Sequence, residues 1–182
     1  MKIFRWHKVN RQTQERDMVN SIIIVGDSNV GKTCILNRYV YDNFKHGLPG
    51  HLGIDFRSKT VCLNNQMVRL RIWDPSGGEK FLTITKPYIK KSEAAVVVYD
   101  VTDRKSFLNT TMWIDLIRTQ CGSDIPIFLV GNKADSPNRQ VAFTEGKKQP
   151  QMDGLLFMEC SANSGYNVEN LFQMIITSLD IK

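Results

Sequence analysis

The sequence predicts an α/β domain: a six-stranded, mostly parallel sheet with one antiparallel edge strand and helices on both faces. Three observations carry that expectation. Short, wholly apolar, β-branched segments recur from Ser21 onward, helix-period stretches alternate with them, and one segment instead mixes apolar with basic residues. Residues 21–25 (SIIIV), 94–100 (AAVVVYD) and 125–131 (IPIFLVG) are of the first kind, as central strands covered on both faces should be. Residues 67–73 (MVRLRIW) partly alternate, which suits a strand with one wetter face. With Asn64, Asn65 and Gln66 as the turn, they pair back on residues 54–63 as an antiparallel edge hairpin. The sixth strand is LLFME at 155–159. Helices fit at 32–42, around 80–91, 104–120, about 144–152 and 167–179. The last of these places Val168, Leu171, Phe172, Ile175, Ile176 and Leu179 on one apolar stripe. The stretch from Lys45 to Gly53 is the most loop-like.

The chain's 182 residues suffice for one domain with a sizeable core and are too few for two ordinary ones. With 42% hydrophobic and 23% charged residues it falls among soluble globular sequences. The net charge of +6 is uneven: the first 21 residues hold five basic and two acidic side chains. We therefore assign residues 1–20 to a basic N-terminal arm and 21–182 to the domain. The remainder, with 19 basic and 16 acidic groups, is too balanced to make nucleic acid the ligand. No apolar run approaches the roughly 20 residues of a membrane span. The cysteines, Cys34, Cys62, Cys121 and Cys160, show no CxxC spacing for zinc or dithiol chemistry, and a reducing, intracellular setting is expected. The arm begins MKIFRWHKV and lacks the apolar stretch of a secretion signal. It reads first as a flexible solvated arm and second, through Ile3, Phe4 and Trp6, as a membrane or partner contact.

The strand SIIIV runs straight into Gly26-Asp27-Ser28-Asn29-Val30-Gly31-Lys32-Thr33, a full GxxxxGK[ST] string, and Cys34 follows within the predicted helix. Glycines let the backbone wrap a phosphate, successive N–H groups point inward, and the helix N-terminus favours an anion. Lys32 adds a full charge for the outer phosphates, and Thr33 a hard oxygen for Mg²⁺. The bland alternative is a Gly-rich turn that merely joins strand to helix. Such a loop serves kinases, ATPases and GTPases alike. The base is read further on, at Asn132-Lys133-Ala134-Asp135, after a central strand. The Asp135 carboxylate can accept from the N1–H and exocyclic amine of guanine, a donor pair that adenine lacks. Lys133 can lay its stem along the purine, Asn132 can tie this loop to the first, and backbone N–H groups of Cys160-Ser161-Ala162 can reach guanine O6.

In this order, the phosphate loop, Asp74, the NKAD loop and the SA pair resemble the Ras superfamily of small GTPases over residues 21–180. The strings YDNF (41–44), GIDF (53–56), RIWD (71–74) and VVYDVT (97–102) resemble the Rab branch. SKT (58–60), PYI (87–89), WID (113–115), GSD (122–124) and GYNV (165–168) are most similar to its Golgi-associated subgroup. The resemblance implies a GTP/GDP switch in vesicle traffic with Mg²⁺ as cofactor. It also implies exchange factors, activating proteins and effectors as partners, and a monomer on the cytoplasmic face of Golgi or vesicle membranes. Asp74 would hold Mg²⁺ through water, Gly77 would offer its N–H to the γ-phosphate, and Phe44 would pack on the guanine edge. Phe56, Trp73 and Tyr88 match an aromatic trio of the effector surface. Ordinary packing remains the alternative for Phe44 and Tyr88, and a core position for Trp73.

Three positions depart from the family pattern. His51 stands where a threonine hydroxyl binds Mg²⁺ and latches the γ-phosphate, and imidazole is a poor Mg²⁺ ligand. Gly78 stands where a glutamine orients the attacking water. Asn163 replaces the lysine of SAK, which reads as the mildest change because backbone groups contact the base. We therefore expect binding with slow intrinsic hydrolysis and no intact catalytic residue, or alternatively an interaction module that no longer cycles. Rabs commonly end in prenylated cysteines. The last cysteine here is Cys160, so we expect such a tail to lie outside this chain, the other reading being a protein without that anchor.

Overall fold

The computed structural model describes residues 18–45, 53–63, 66–75, 82–122 and 125–179. Among them run the strands β1 (Met18–Val25), β2 (Ile54–Leu63), β3 (Gln66–Pro75), β4 (Ala94–Asp100), β5 (Ile127–Asn132) and β6 (Leu156–Glu159). They form one sheet in the order β2-β3-β1-β4-β5-β6. Only β2 and β3 pair antiparallel, as the predicted hairpin, with Phe56 opposite Trp73; the other pairs are parallel. The helices are α1 (Lys32–Tyr41), α2 (Leu82–Ile89), α3 (Arg104–Leu108), α4 (Thr110–Cys121), α5 (Phe143–Asp153) and α6 (Val168–Ser178).

The apolar runs are explained by a sheet with a core on each side. In β1, Ile22 and Ile24 pack with Ile35 and Leu36 of α1 and with Leu171, Phe172 and Ile175 of α6. The alternate residues Ile23 and Val25 pack with Ile89 of α2 and Trp113, Ile114 and Ile117 of α4. A strand buried on both faces has no use for alternation, and each fully buried isoleucine contributes about 1.5–3 kcal/mol. Tyr99 of β4 fills a slot with no spare room. A Cβ on Gly131 would lie 2.7 Å from its hydroxyl oxygen, and one on Gly146 would lie 2.5 Å from it.

Strand β5 is shifted from the expected 125–131 to Ile127–Asn132, and two boundaries differ more. Strand β1 begins at Met18, so residues 18–20, assigned to the arm, pair instead with Val68, Arg69 and Leu70 of β3. Polar Asn20 hid this by interrupting the apolar run, and it is nonetheless buried. The rest of the arm lies outside the described residues. The helix expected over 104–120 is divided at Asn109 into α3 and α4. There the Thr110 hydroxyl donates to the Phe107 carbonyl at 2.6 Å, a side-chain bond back to the preceding turn of the kind that bends helices.

From β1 the chain runs out to the hairpin and then crosses to β4 on the other side of β1. That reversal is a topological switch point, where open α/β sheets bind ligands beyond the carboxyl ends of the strands. The loops after β1, β5 and β6, together with the end of β3, carry the residues singled out above.

Candidate nucleotide site

Gly26 opens the loop after β1 at φ 141°, and a Cβ there would sit 2.2 Å from the Val98 carbonyl oxygen. Gly31 closes it at φ 97°, with a Cβ position 2.3 Å from Asn132 Nδ2. Neither place admits a side chain. The exposed Ser28 and Asn29 form the crown of the loop, and Val30 is buried beneath it. Gly31 caps α1 without a side-chain hydrogen bond, so the first-turn N–H groups remain for an anion. Lys32 folds back over the loop, its Nζ donating to the carbonyls of Gly26 at 3.0 Å and Asp27 at 2.6 Å. Burial lowers its pKa to about 8, with Asp74 and Asp27 opposing the shift. A phosphate at this place would favour the charged form. Cys34 is half-buried against the α1/α6 core, and burial pushes its thiol pKa up.

Thr33 Oγ1 donates to Asp74 Oδ2 at 2.7 Å, which joins the start of α1 to the end of β3. A hydroxyl and a fully buried carboxylate are the hard oxygen donors that Mg²⁺ takes. No cluster of three or more His, Cys, Asp or Glu suited to a metal gathers among the described residues. The two groups therefore fit an ion that draws its remaining ligands from phosphate and water.

The base end is assembled from three loops. Asn132, at the end of β5, donates its Nδ2 to the Val30 carbonyl at 2.8 Å and accepts the Ala162 N–H at 3.1 Å, thereby tying all three together. Lys133 takes φ 64°, and its Nζ pairs with Asp100 Oδ2 at 2.5 Å, which pins the stem. Asp135 accepts from Ser161 Oγ and Asn163 Nδ2, each at 2.7 Å. These bonds, the Asn163 amide first, hold its carboxyl below the usual carboxylate range. The Ala162 N–H donates to Asn132 Oδ1, and within residues 161–165 only the Asn163 N–H has no partner among the described residues. The Asn163 side chain, read as the mildest substitution, bonds directly to the Asp135 carboxylate. Phe44 is half-buried against the α1/α6 core. His51, Gly77 and Gly78 lie outside the described residues.

Phe56, Trp73 and Tyr88 form one continuous group. The Phe56 and Trp73 ring centroids are 5.4 Å apart, and Trp73 meets Tyr88 edge-on at 4.6 Å. Trp73 is neither wholly core nor free: it is half-buried, and its Nε1 is shielded without a hydrogen-bond partner among the described residues. Arg71 lies over both Phe56 and Trp73, at 5.7 and 5.9 Å from their centroids.

Several residues of the site escaped the sequence reading. Asp27 is gripped from α4 and its junction with α3: Asn109 Nδ2 donates to one carboxylate oxygen at 2.6 Å and Trp113 Nε1 to the other at 2.9 Å. Arg38 of α1 donates to the carbonyls of Ala162 at 2.9 Å and Asn163 at 2.8 Å, and pairs with Asp42. A buried tryptophan usually needs a partner for its N–H, and that was the available signal for Trp113. Changing Trp113 to Phe keeps most of the ring volume and removes one bond to a charged group. The loss is about 1–2 kcal/mol. Release of a fluorescent GDP analogue should accelerate about fivefold to thirtyfold; an unchanged release rate would mean that Asp27 needs no support from α4.

The arrangement offers an anion cradle at a helix N-terminus, two hard oxygens for a divalent ion and a carboxylate facing the place of a purine. The Ras family profile matches residues 21–180, spanning every element of this site. The chain belongs to the Ras family of small GTPases, GTP-binding switch proteins whose members interact with exchange factors, activating proteins and effectors.

Proposed function

We propose that this chain is a Rab-type switch of vesicle traffic that holds GTP with Mg²⁺ and hydrolyses it slowly unaided. The observation that carries the reading is a nucleotide cradle whose described binding groups come together at one place, in a sequence that lacks both usual switch side chains. Lys32, the Thr33–Asp74 pair and Asp135 are in place, while His51 and Gly78 replace the expected threonine and glutamine. Glycine has no side chain to orient the attacking water. Thr33 and Asp74 would hold Mg²⁺, which would supply charge neutralisation at the phosphates. Stimulated hydrolysis tolerates Gly78 better than unaided hydrolysis, because a Rab-type activating protein supplies an arginine and a glutamine in trans.

The continuous Phe56–Trp73–Tyr88 group supports the Rab assignment and an effector surface. The cytosolic face of Golgi or vesicle membranes is the location we infer. No helix among the described residues is long and apolar enough to cross a membrane. A prenylated tail or the basic arm is the attachment we infer from the Rab resemblance and from the charge of residues 1–20.

Single-turnover hydrolysis of the wild type and of the His51→Thr, Gly78→Gln double variant tests the reading. The double variant is expected to hydrolyse GTP at least about tenfold faster. Equal rates would remove the slow-hydrolysis reading. Protein purified without nucleotide and without measurable Mg²⁺-dependent GTP affinity would instead leave an interaction module that does not cycle.

A further inference from the structure

A carboxylate at the rim of a pocket turns freely about its last torsion unless something holds it. A guanine needs both oxygens of Asp135 in one fixed plane, because its N1–H and exocyclic amine bind as a parallel pair. A base with a single donor does not, since one oxygen can follow it. Asp135 is itself exposed, so burial does not fix its orientation. Hydrogen bonds do: Ser161 Oγ donates to Oδ1 and Asn163 Nδ2 to Oδ2, each at 2.7 Å. A carboxylate offers about four acceptor sites. One side-chain bond on each oxygen leaves room on each for the base, with the Asp135 backbone N–H as a further, weaker donor to the carboxylate.

Asn163 is anchored from behind. Its carbonyl accepts Arg38 Nη2 at 2.8 Å, the neighbouring Ala162 carbonyl accepts Arg38 Nε at 2.9 Å, and the same guanidinium pairs with Asp42 at the C-cap of α1. The loop closes on itself through Ser164 N–H to Ser161 Oγ at 3.0 Å and Gly165 N–H to the Ser161 carbonyl at 2.9 Å. The amide therefore projects toward Asp135 from a braced backbone.

We propose that the Asn163 side chain is a positioning residue for base selection: with Ser161 it clamps the Asp135 carboxylate in the plane that the two donors of guanine require. The clamp is one-sided without it, because the Ser161 hydroxyl holds a single oxygen. The inference rests on the reading of Asp135 as the guanine acceptor.

GDP and inosine diphosphate carry the same phosphates and differ by the exocyclic amine alone, so their affinity ratio isolates the paired recognition. Competition against a fluorescent GDP analogue would be run on the wild type, Asn163→Ala and Asn163→Asp. The expected result is a ratio reduced about tenfold in Asn163→Ala, arising from faster GDP release with inosine diphosphate changed less than about threefold. Asn163→Asp preserves size and the backbone contacts with Arg38 but sets a second carboxylate against Asp135, so its ratio should fall at least as far. A residue that served only to brace the loop would weaken both nucleotides together and would tolerate aspartate better than alanine. Either of those outcomes, or a ratio within twofold of wild type in both variants, overturns the proposal. A wild type that fails to distinguish the two nucleotides would instead overturn the guanine reading of Asp135.

Discussion

Asn132→Ala is expected to lower thermal stability and to speed nucleotide release at least about a hundredfold, because one buried side chain holds three loops. Asn132 is 1% exposed. Its amide satisfies the Val30 carbonyl, and its carbonyl oxygen satisfies the Ala162 N–H and lies 3.8 Å from Cys160 Sγ. Alanine leaves a buried acceptor and a buried donor without partners, at about 1–3 kcal/mol each, and opens a void beneath Gly31. Asn132→Asp is the sharper comparison. It keeps the acceptor but turns a charged oxygen toward the Val30 carbonyl, so it should be less stable than alanine despite matching the native shape. Thermal denaturation and GDP release measure both effects. If Asn132→Ala keeps wild-type release, the three loops are positioned by something other than this side chain.

Asp135→Asn should exchange the preferred base. Guanine needs two acceptors, and an asparagine offers one acceptor and one donor, so GDP affinity is expected to fall about 10³-fold or more while xanthosine diphosphate gains. The local bonds fix which way the new amide turns. Asn163 Nδ2 can only donate, so the new carbonyl oxygen should face it; the Ser161 hydroxyl can accept, so the new NH₂ should sit at the place of Oδ1. Displacement of a fluorescent nucleotide by the two diphosphates reads the exchange directly. A variant that still prefers GDP would show that the base is selected elsewhere. Because Asp135 is held below the usual carboxylate range, its charge is present above that lowered value and is lost only as pH falls through it. Wild-type selectivity should thus persist through mildly acidic conditions.

The parts of this fold that were legible in advance are those written in consecutive residues. SIIIV, AAVVVYD and IPIFLVG read as central strands because two-sided burial leaves an almost unbroken apolar run, and the stripe on α6 reads as core for the corresponding helical reason. The glycine-rich loop and NKAD were legible because phosphate and base chemistry demand particular residues at fixed spacing. What escaped was long-range and polar. Trp113 reaches Asp27 across 86 residues, and Arg38 reaches Ala162 and Asn163 across 124 and 125 residues, so no local pattern announces either. The strand start at Met18 escaped because pairing with β3, not apolarity, recruits Asn20. The bond from Asn163 to Asp135 escapes for a different reason: the family pattern has a lysine at this position, and only the folded loop shows the reach of an amide there.

The slot around Tyr99 sets an order on how this sequence can drift. Gly131 immediately precedes Asn132, and neither Gly131 nor Gly146 can gain even a methyl group while the phenol ring of Tyr99 stands between them. Removing the hydroxyl alone does not free Gly131, because the ring carbon beneath it lies 2.8 Å from the position of the added methyl. Position 99 must shrink first, leaving a cavity that a later alanine at 131 then fills; at 146 the Phe157 ring, 2.9 Å from the added methyl, would have to give way as well. The reverse order passes through a chain in which strand β5 is pushed off its neighbour and the base-reading loop is carried with it. Three positions far apart in the sequence are thereby bound to a common history, in which a tolerable pair of changes becomes reachable from one side only.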